Sequence, residues 1–162
     1  MTAEELKTIL KLAPHPVEGG FFRQTYKSDV TLETPRGLRS VGTAIYYLLE
    51  PGTFSEMHML TSNEVFHFYL GDPVEMLQLH PDGNGSAVFT LGPDLAKGQH
   101  VQLAVPAGVW QGTRLLPGGK LALLGCTVTP GFEFADYSSG SYADLAARWP
   151  AEAERIRALT RS

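Results

Sequence analysis

The sequence predicts an all-β protein, a sandwich or barrel with short helices at its two ends. Three observations predict it. Short apolar segments bounded by turn residues recur from Phe21 to Thr129. Helical periodicity is confined to Thr2–Leu12 and to the stretch after Ser141. The 17 Gly and 11 Pro among 162 residues supply the many turns that such a fold needs.

Taken in order, Thr2 to Leu12 reads as a helix. Thr2 and Glu5 can form a capping box, Leu6, Ile9 and Leu10 share a face, and Pro14 and Pro16 end the segment. Phe21 to Tyr26 follows Gly19-Gly20 as a strand. Thr34 to Ser40, with Pro35 and Gly37, reads as a long exposed loop. Val41 to Leu49 is almost wholly apolar, which fits a strand covered on both faces. Val65 to Leu70 follows Glu64, and Val74 to Leu79 is a strand of less regular alternation. The turn Asp82-Gly83-Asn84-Gly85 precedes a strand at Ala87 to Leu91. Val101, Leu103 and Val105 alternate with Gln102 and Ala104, the pattern of a half-buried strand. Pro117-Gly118-Gly119 turns the chain into a strand at Leu121 to Thr129. Ser141 can cap a helix carrying Leu145, and Pro150 interrupts it and opens a last helix through Ile156 and Leu159.

The length suits one domain spanning residues 1–162. A 43% hydrophobic, 19% charged composition is that of an ordinary globular chain. The formal charge is -4 with Lys and Arg spread along the sequence, so nothing points to nucleic acid. No apolar run approaches ~20 residues, so no membrane-spanning helix is expected. Met1-Thr2-Ala3-Glu4-Glu5 is acidic rather than basic, unlike a signal peptide, and a cytoplasmic location is expected. Cys126 is the sole cysteine, which excludes an intramolecular disulfide and fits a small buried hydrophobe.

Chemistry concentrates in two blocks. The first has Gly52, His58, Leu60, Glu64 and Gly71, with His58 on one arm of a strand–turn–strand unit and Glu64 opening the other. The second is Pro106-Ala107-Gly108-Val109-Trp110-Gln111. Together they resemble the two motifs of the cupins, small β-barrels that often hold a metal on three histidines and a glutamate. Leu60 and Gln111 stand at two of the matching ligand positions, while His58 and Glu64 remain. A divalent metal needs three or more donors, and a Gln amide oxygen is a weaker donor than imidazole. No resident metal and no other cofactor are expected.

The likeness extends beyond these blocks. His15-Pro16-Val17-Glu18-Gly19-Gly20-Phe21-Phe22-Arg23, Thr43-Ala44-Ile45-Tyr46-Tyr47-Leu48-Leu49, Asn63-Glu64-Val65-Phe66-His67-Phe68-Tyr69 and Gly125-Cys126-Thr127-Val128-Thr129-Pro130-Gly131-Phe132 resemble one small cupin-like family of uncharacterised function. The resemblance implies a double-stranded β-helix, the jelly-roll barrel of germins and sugar-nucleotide epimerases, with short N- and C-terminal helices and usually a homodimer. A homodimer also suits the apolar run Val41 to Leu49. The resemblance implies no reaction, because a fold does not determine a function.

The residues then favour a small-molecule pocket in the barrel mouth. His58 is the candidate base and Glu64 the carboxylate that orients it. Gln111 either bonds a ligand or anchors the loop at Pro106, and Trp110 either caps the mouth or packs. Phe66 and Phe68 share the inward face of Glu64 and are candidate lining residues, which turns His67 outward. Arg23 is a candidate anion-docking residue, by resemblance to epimerases that use an early-strand arginine. One tyrosine can line the pocket as a proton donor. His15, His80 and His100 read as bystanders. The expected partners are a polar or sugar-like metabolite and a second copy of the chain, with no nucleic acid and no membrane. The expected chemistry is metal-independent epimerisation or isomerisation next to a carbonyl. A non-catalytic binding or sensing barrel, and a dioxygenase-like metal enzyme with a reduced ligand set, are the alternative readings.

Overall fold

The first helix, α1 (Ala3–Leu10), starts where the capping box expected it to. The Thr2 side chain accepts the Glu5 amide while the Glu5 carboxylate accepts the Thr2 amide. It ends at Lys11, whose φ of 53° is left-handed. Leu6, its one buried residue, packs against Leu48, Leu121 and Leu123. The computed structural model describes residues 1–81 and 85–161. The turn expected at Asp82-Gly83-Asn84 therefore lies outside the described residues.

The strands follow in chain order: β1 (Ala13–Pro14), β2 (Phe21–Lys27), β3 (Thr31–Thr34), β4 (Gly37–Ser40), β5 (Thr43–Leu49) and β6 (Phe54–Leu60). Next come β7 (Asn63–Gly71), β8 (Val74–Leu79), β9 (Ser86–Leu91), β10 (Gln102–Val105), β11 (Trp110–Leu115), β12 (Ala122–Thr129) and β13 (Tyr137–Ser139). Two helices, α2 (Tyr142–Arg148) and α3 (Ala153–Ala158), close the described chain, with a 3-10 turn at Pro150–Glu152 between them. Ser141 caps α2 by accepting the Asp144 amide. No helix among the described residues is long and apolar enough to cross a membrane.

One sheet has the order β1-β2-β5-β12-β7-β10 and the other β13-β6-β11-β8-β9. The ladders between these strands are antiparallel. The two sheets face each other, as a jelly roll requires. Tyr47, Leu49, Phe66, Phe68, Leu124 and Cys126 from the first sheet meet Val74, Met76 and Leu91 from the second in one core. A second core lies on the outer side of the second sheet, where Met57, Leu77 and Leu79 meet Leu145, Trp149, Ile156 and Leu159. Strand β8 thus buries Val74 and Met76 on one face and Leu77 and Leu79 on the other. That double cover explains its irregular alternation.

Two expectations are revised. The apolar run at Val41–Leu49 is covered on both faces over its second half, but by the chain itself. Tyr47 and Leu49 enter the barrel core, and Leu48 is covered by Leu6 of α1. The run therefore needs no second copy to account for it. The expected exposed loop at Thr34–Ser40 is the hairpin β3–β4 with Pro35 and Arg36 at its tip. Its turn is tied by Thr34, which accepts the Arg36 amide at 3.2 Å and donates to the Gly37 carbonyl at 2.6 Å. Arg39 and Ser40 are buried. Arg39 grips Asp136 through two hydrogen bonds of 2.7 and 2.9 Å.

Candidate active site

Strands β6 and β7 carry the central pair. Met57 faces the outer core, so the period of two turns Glu56, His58 and Leu60 the other way. His58, Leu60 and Glu64 line one cavity between the sheets. Its volume is about 100 Å³, below the ~300 Å³ at which drug-sized ligand sites begin, so it suits a compact metabolite.

His58 is 1% exposed. Its Nδ1 lies 2.6 Å from the Glu56 carbonyl oxygen, which can only accept. In the neutral ring the proton therefore sits on Nδ1 and the lone pair on Nε2. Tyr137 stacks on the imidazole with ring centres 4.9 Å apart and planes 13° apart. Nε2 has no hydrogen-bond partner among the described residues; Glu18 Oε1 lies 4.0 Å away. The groups that orient His58 are thus the Glu56 carbonyl and the Tyr137 ring, where the sequence pointed to Glu64.

Glu64 is 6% exposed. Gln111, opposite His58 in the ladder between β11 and β6, donates from Nε2 to Glu64 Oε2 at 2.7 Å. Burial, then the nearby Glu18 charge, pushes the Glu64 pKa up to about 7, against the opposing pull of His58 and Gln111. The Gln111 Oε1 is buried without a partner. Cys126 lines the same cavity, and burial together with Glu64 and Glu18 pushes its thiol pKa well up. It stays a thiol, not a nucleophilic thiolate.

A second carboxyl group completes the site. Glu18 lines the cavity, and its Oε1 accepts the Ser55 hydroxyl at 2.5 Å. Gly19 and Gly20 follow with φ of 103° and 67°, backbone that L side chains avoid. The segment is anchored by Tyr47, whose hydroxyl donates to the Gly19 carbonyl at 2.7 Å. Arg161 donates to the Val17 and Glu18 carbonyls at 2.6 and 3.1 Å and pairs with Glu56 at 3.2 Å. The Glu56 carboxylate also accepts from Tyr137 and Ser139 at 2.8 and 2.7 Å. His15 accepts the Val17 and Glu18 amides at Nδ1, at 3.3 and 2.9 Å, which puts its ring proton on Nε2. Burial lowers its pKa and favours the neutral ring.

The remaining wall is apolar, with Phe22, Ile45, Val128, Phe132 and Phe134 prominent. Of the residues singled out from sequence, His58 and Glu64 line the cavity and Gln111 stands directly behind Glu64. Three groups fall elsewhere. Arg23 is exposed on the outer face of β2, over the Tyr46 ring at 5.6 Å, because its neighbours Phe22 and Gln24 take the cavity side. Trp110 packs with the helices in the outer core, since inward Gln111 forces it outward. Phe66 and Phe68 share the inward face of Glu64 but fill the barrel core further along β7. His67 faces the other way, with Nε2 2.8 Å from the Thr127 hydroxyl. Glu18 was not anticipated, and His15, read as a bystander, instead lines the cavity. Their only signal is the paired glycine after Glu18, which marks special backbone without saying what it carries.

The barrel motif raises the question of a metal. Among the described residues no three His, Cys, Asp or Glu side chains are grouped to hold one. Leu60 offers no donor, and Gln111 turns its N–H toward Glu64. The donor set does not fit a resident metal ion, and no step below uses one.

Comparison with known proteins agrees with the geometry. Residues 4–139 match the family described as Cupin superfamily (DUF985). The chain is 30% identical over 135 residues to the uncharacterised protein YML079W of Saccharomyces cerevisiae, covering 75% of this chain and 67% of that one. The structure of protein SO0799 from Shewanella oneidensis superposes with a TM-score of 0.90 at 33% identity, covering 99% of this chain and 98% of that one. A hypothetical protein from Leishmania major superposes with a TM-score of 0.92 at 26% identity, over the whole of both chains. Facing antiparallel sheets, the two motif blocks and this match over most of its length show that the chain belongs to the DUF985 family of the cupin superfamily.

Proposed function

We propose that the protein binds a small polar metabolite in the barrel cavity and catalyses proton transfer next to its carbonyl group, an isomerisation without a metal. The observation that carries this reading is the pairing of a bare His58 Nε2 with a buried Glu64 whose pKa lies at about 7. His58 takes the proton from the carbon beside the carbonyl. The C–H electron pair moves into a carbon–carbon double bond, and the carbonyl oxygen becomes an enolate. Glu64 in its acid form donates to that oxygen, and the Gln111 amide holds the carboxyl in place. The hydroxyl on the carbon that lost its proton then gives its hydrogen to the Glu64 carboxylate and becomes the new carbonyl, while His58 returns its proton to the former carbonyl carbon, which gives the isomer and restores both side chains. Phe132 and Phe134 keep the reacting carbon from water.

The test is solvent exchange. Small hydroxy- and aminocarbonyl compounds are incubated with the protein in deuterium oxide, and deuterium entering beside the carbonyl is followed by NMR. His58→Ala should lower the exchange rate by about a thousandfold with an unchanged near-ultraviolet circular dichroism spectrum. Exchange at the wild-type rate in that variant would discard the mechanism.

A further inference from the structure

We infer that the metabolite is an organic cation, an aminocarbonyl compound whose ammonium group docks on Glu18 against the aromatic wall formed by His15, Phe22 and Phe134. The inference rests on the cavity being the ligand site and adds the ligand's charge and shape.

The polar inventory of the cavity is one-sided. Glu18 and Glu64 contribute carboxyl oxygens, and His58 presents Nε2 as an acceptor, because its Nδ1–H is committed to the Glu56 carbonyl. His58 is 1% exposed and this nitrogen has no partner. Gln111, also 1% exposed, leaves Oε1 without a donor beside Glu64. One deeply buried acceptor in the cavity, His58 Nε2, therefore awaits a donor from outside the protein.

The donors present are few. The Ser55 hydroxyl is given to Glu18, the Thr43 hydroxyl accepts the Phe132 amide and keeps its own hydrogen, and Glu64 in its acid form carries one proton. The His15 Nε2–H points at Glu18 Oε2 from 3.7 Å on a ring that burial keeps neutral. Gln24 is exposed at the rim. Among the described residues no lysine or arginine lines the cavity. Arg23 faces outward, and Arg161 is spent on the Val17 and Glu18 carbonyls and on Glu56 behind the wall. A carboxylate or phosphate entering here would meet the Glu18 charge with no cationic partner. An ammonium group would meet Glu18 as counter-ion.

The apolar wall agrees. The His15 ring centre lies 4.7 Å from that of Phe22 and 6.1 Å from that of Phe134, and Phe134 lies 5.1 Å from Phe132. These rings form a continuous patch beside Glu18, a surface that attracts a desolvated cation. Glu18 Oε1 stands 4.0 Å from His58 Nε2. A compound anchored by its ammonium on Glu18 thus presents the adjoining carbon to the base and its carbonyl oxygen to Glu64.

Three isosteric probes test the charge preference without knowledge of the substrate: isobutylammonium, isobutanol and isobutyrate, each titrated calorimetrically against the full chain. Isobutylammonium should bind at least about tenfold more tightly than either other probe, and Glu18→Gln should remove most of that preference. Because Glu18 is partly buried, Phe134→Leu at a 51% exposed position is the second variant, and it should weaken isobutylammonium selectively. Equal affinity for the three probes, or tighter isobutyrate, overturns the inference. So does zinc binding at one equivalent that is tighter than the ammonium, which would assign the acceptors to a metal. Lost ammonium preference with His58-dependent exchange intact sinks this inference alone. Ammonium preference without exchange sinks the proton-transfer reading alone.

Discussion

Glu64 sits where its neighbours compete over one proton. Burial and Glu18 favour the acid form, while Gln111 and His58 favour the carboxylate, and burial wins. Its folded pKa of about 7 exceeds the ordinary 4.5, so the folded protein keeps a proton that the unfolded chain has lost between those values. The stability this residue supplies is complete below pH 4.5 and is lost as the pH rises through about 7. Glu64→Gln keeps the Gln111 partner and cannot ionise. Urea midpoints of both proteins should show the variant gaining on the wild type from about pH 5 to about pH 8, by on the order of 3 kcal/mol. A parallel pH dependence in the two proteins would mean that Glu64 titrates normally. The motif spacing in the sequence is enough to pair this residue with His58. It is not enough to phase β11, because a period of two separates Trp110 from Gln111 without saying which faces the barrel.

At the scale of elements, the hairpin β3–β4 illustrates how a polar cluster can organise a segment that reads as loop. Asp136 is buried and receives Arg39 through two hydrogen bonds and Arg36 through one of 3.1 Å. The Arg39 contact holds its carboxyl below the usual carboxylate range. Arg36 also reaches Ser62 at 3.2 Å, in the turn between His58 and Glu64. The 3-10 turn Phe134–Asp136 carries Phe134 to the cavity wall. One carboxylate therefore ties the hairpin, the turn between His58 and Glu64, and the aromatic wall together. Asp136→Asn should cost about 3 kcal/mol, because it leaves two guanidinium groups without their counter-charge. Trypsin should then cut after Arg36 faster than in the wild type. An unchanged Tm and cleavage rate would show the clamp to be dispensable. Nothing near Arg39 in the sequence names Asp136 as its partner, since 97 positions separate them.

Across the whole molecule, the segment after Gly140 buttresses the site, although it lies outside the residues matched by the family. Leu145, Ile156 and Leu159 cover the outer face of the sheet whose inner face holds His58. The Met57 amide donates to the Leu159 carbonyl at 2.8 Å, and the Gly140 amide donates to the Met57 carbonyl at 2.7 Å. Both bonds reach the strand of His58, and Arg161 clamps the backbone of Glu18. Ile156 is fully buried, so Ile156→Ala should destabilise the fold by about 3 kcal/mol in urea unfolding with an unchanged m-value. A loss under about 0.5 kcal/mol would mean that this layer is a loose appendage. The sequence by itself determined the all-β class, the capped helices, and the strand–turn–strand unit that brings His58 and Glu64 to one cavity. These are local properties: a side-chain period of two, turn residues, and spacing across one turn between consecutive strands. Only the tertiary structure decided that Glu18 and His15 join the site, that Arg23 and Trp110 leave it, and that Leu48 is covered by α1. Those outcomes depend on which strands become neighbours, and a barrel's closure pairs segments far apart in the chain.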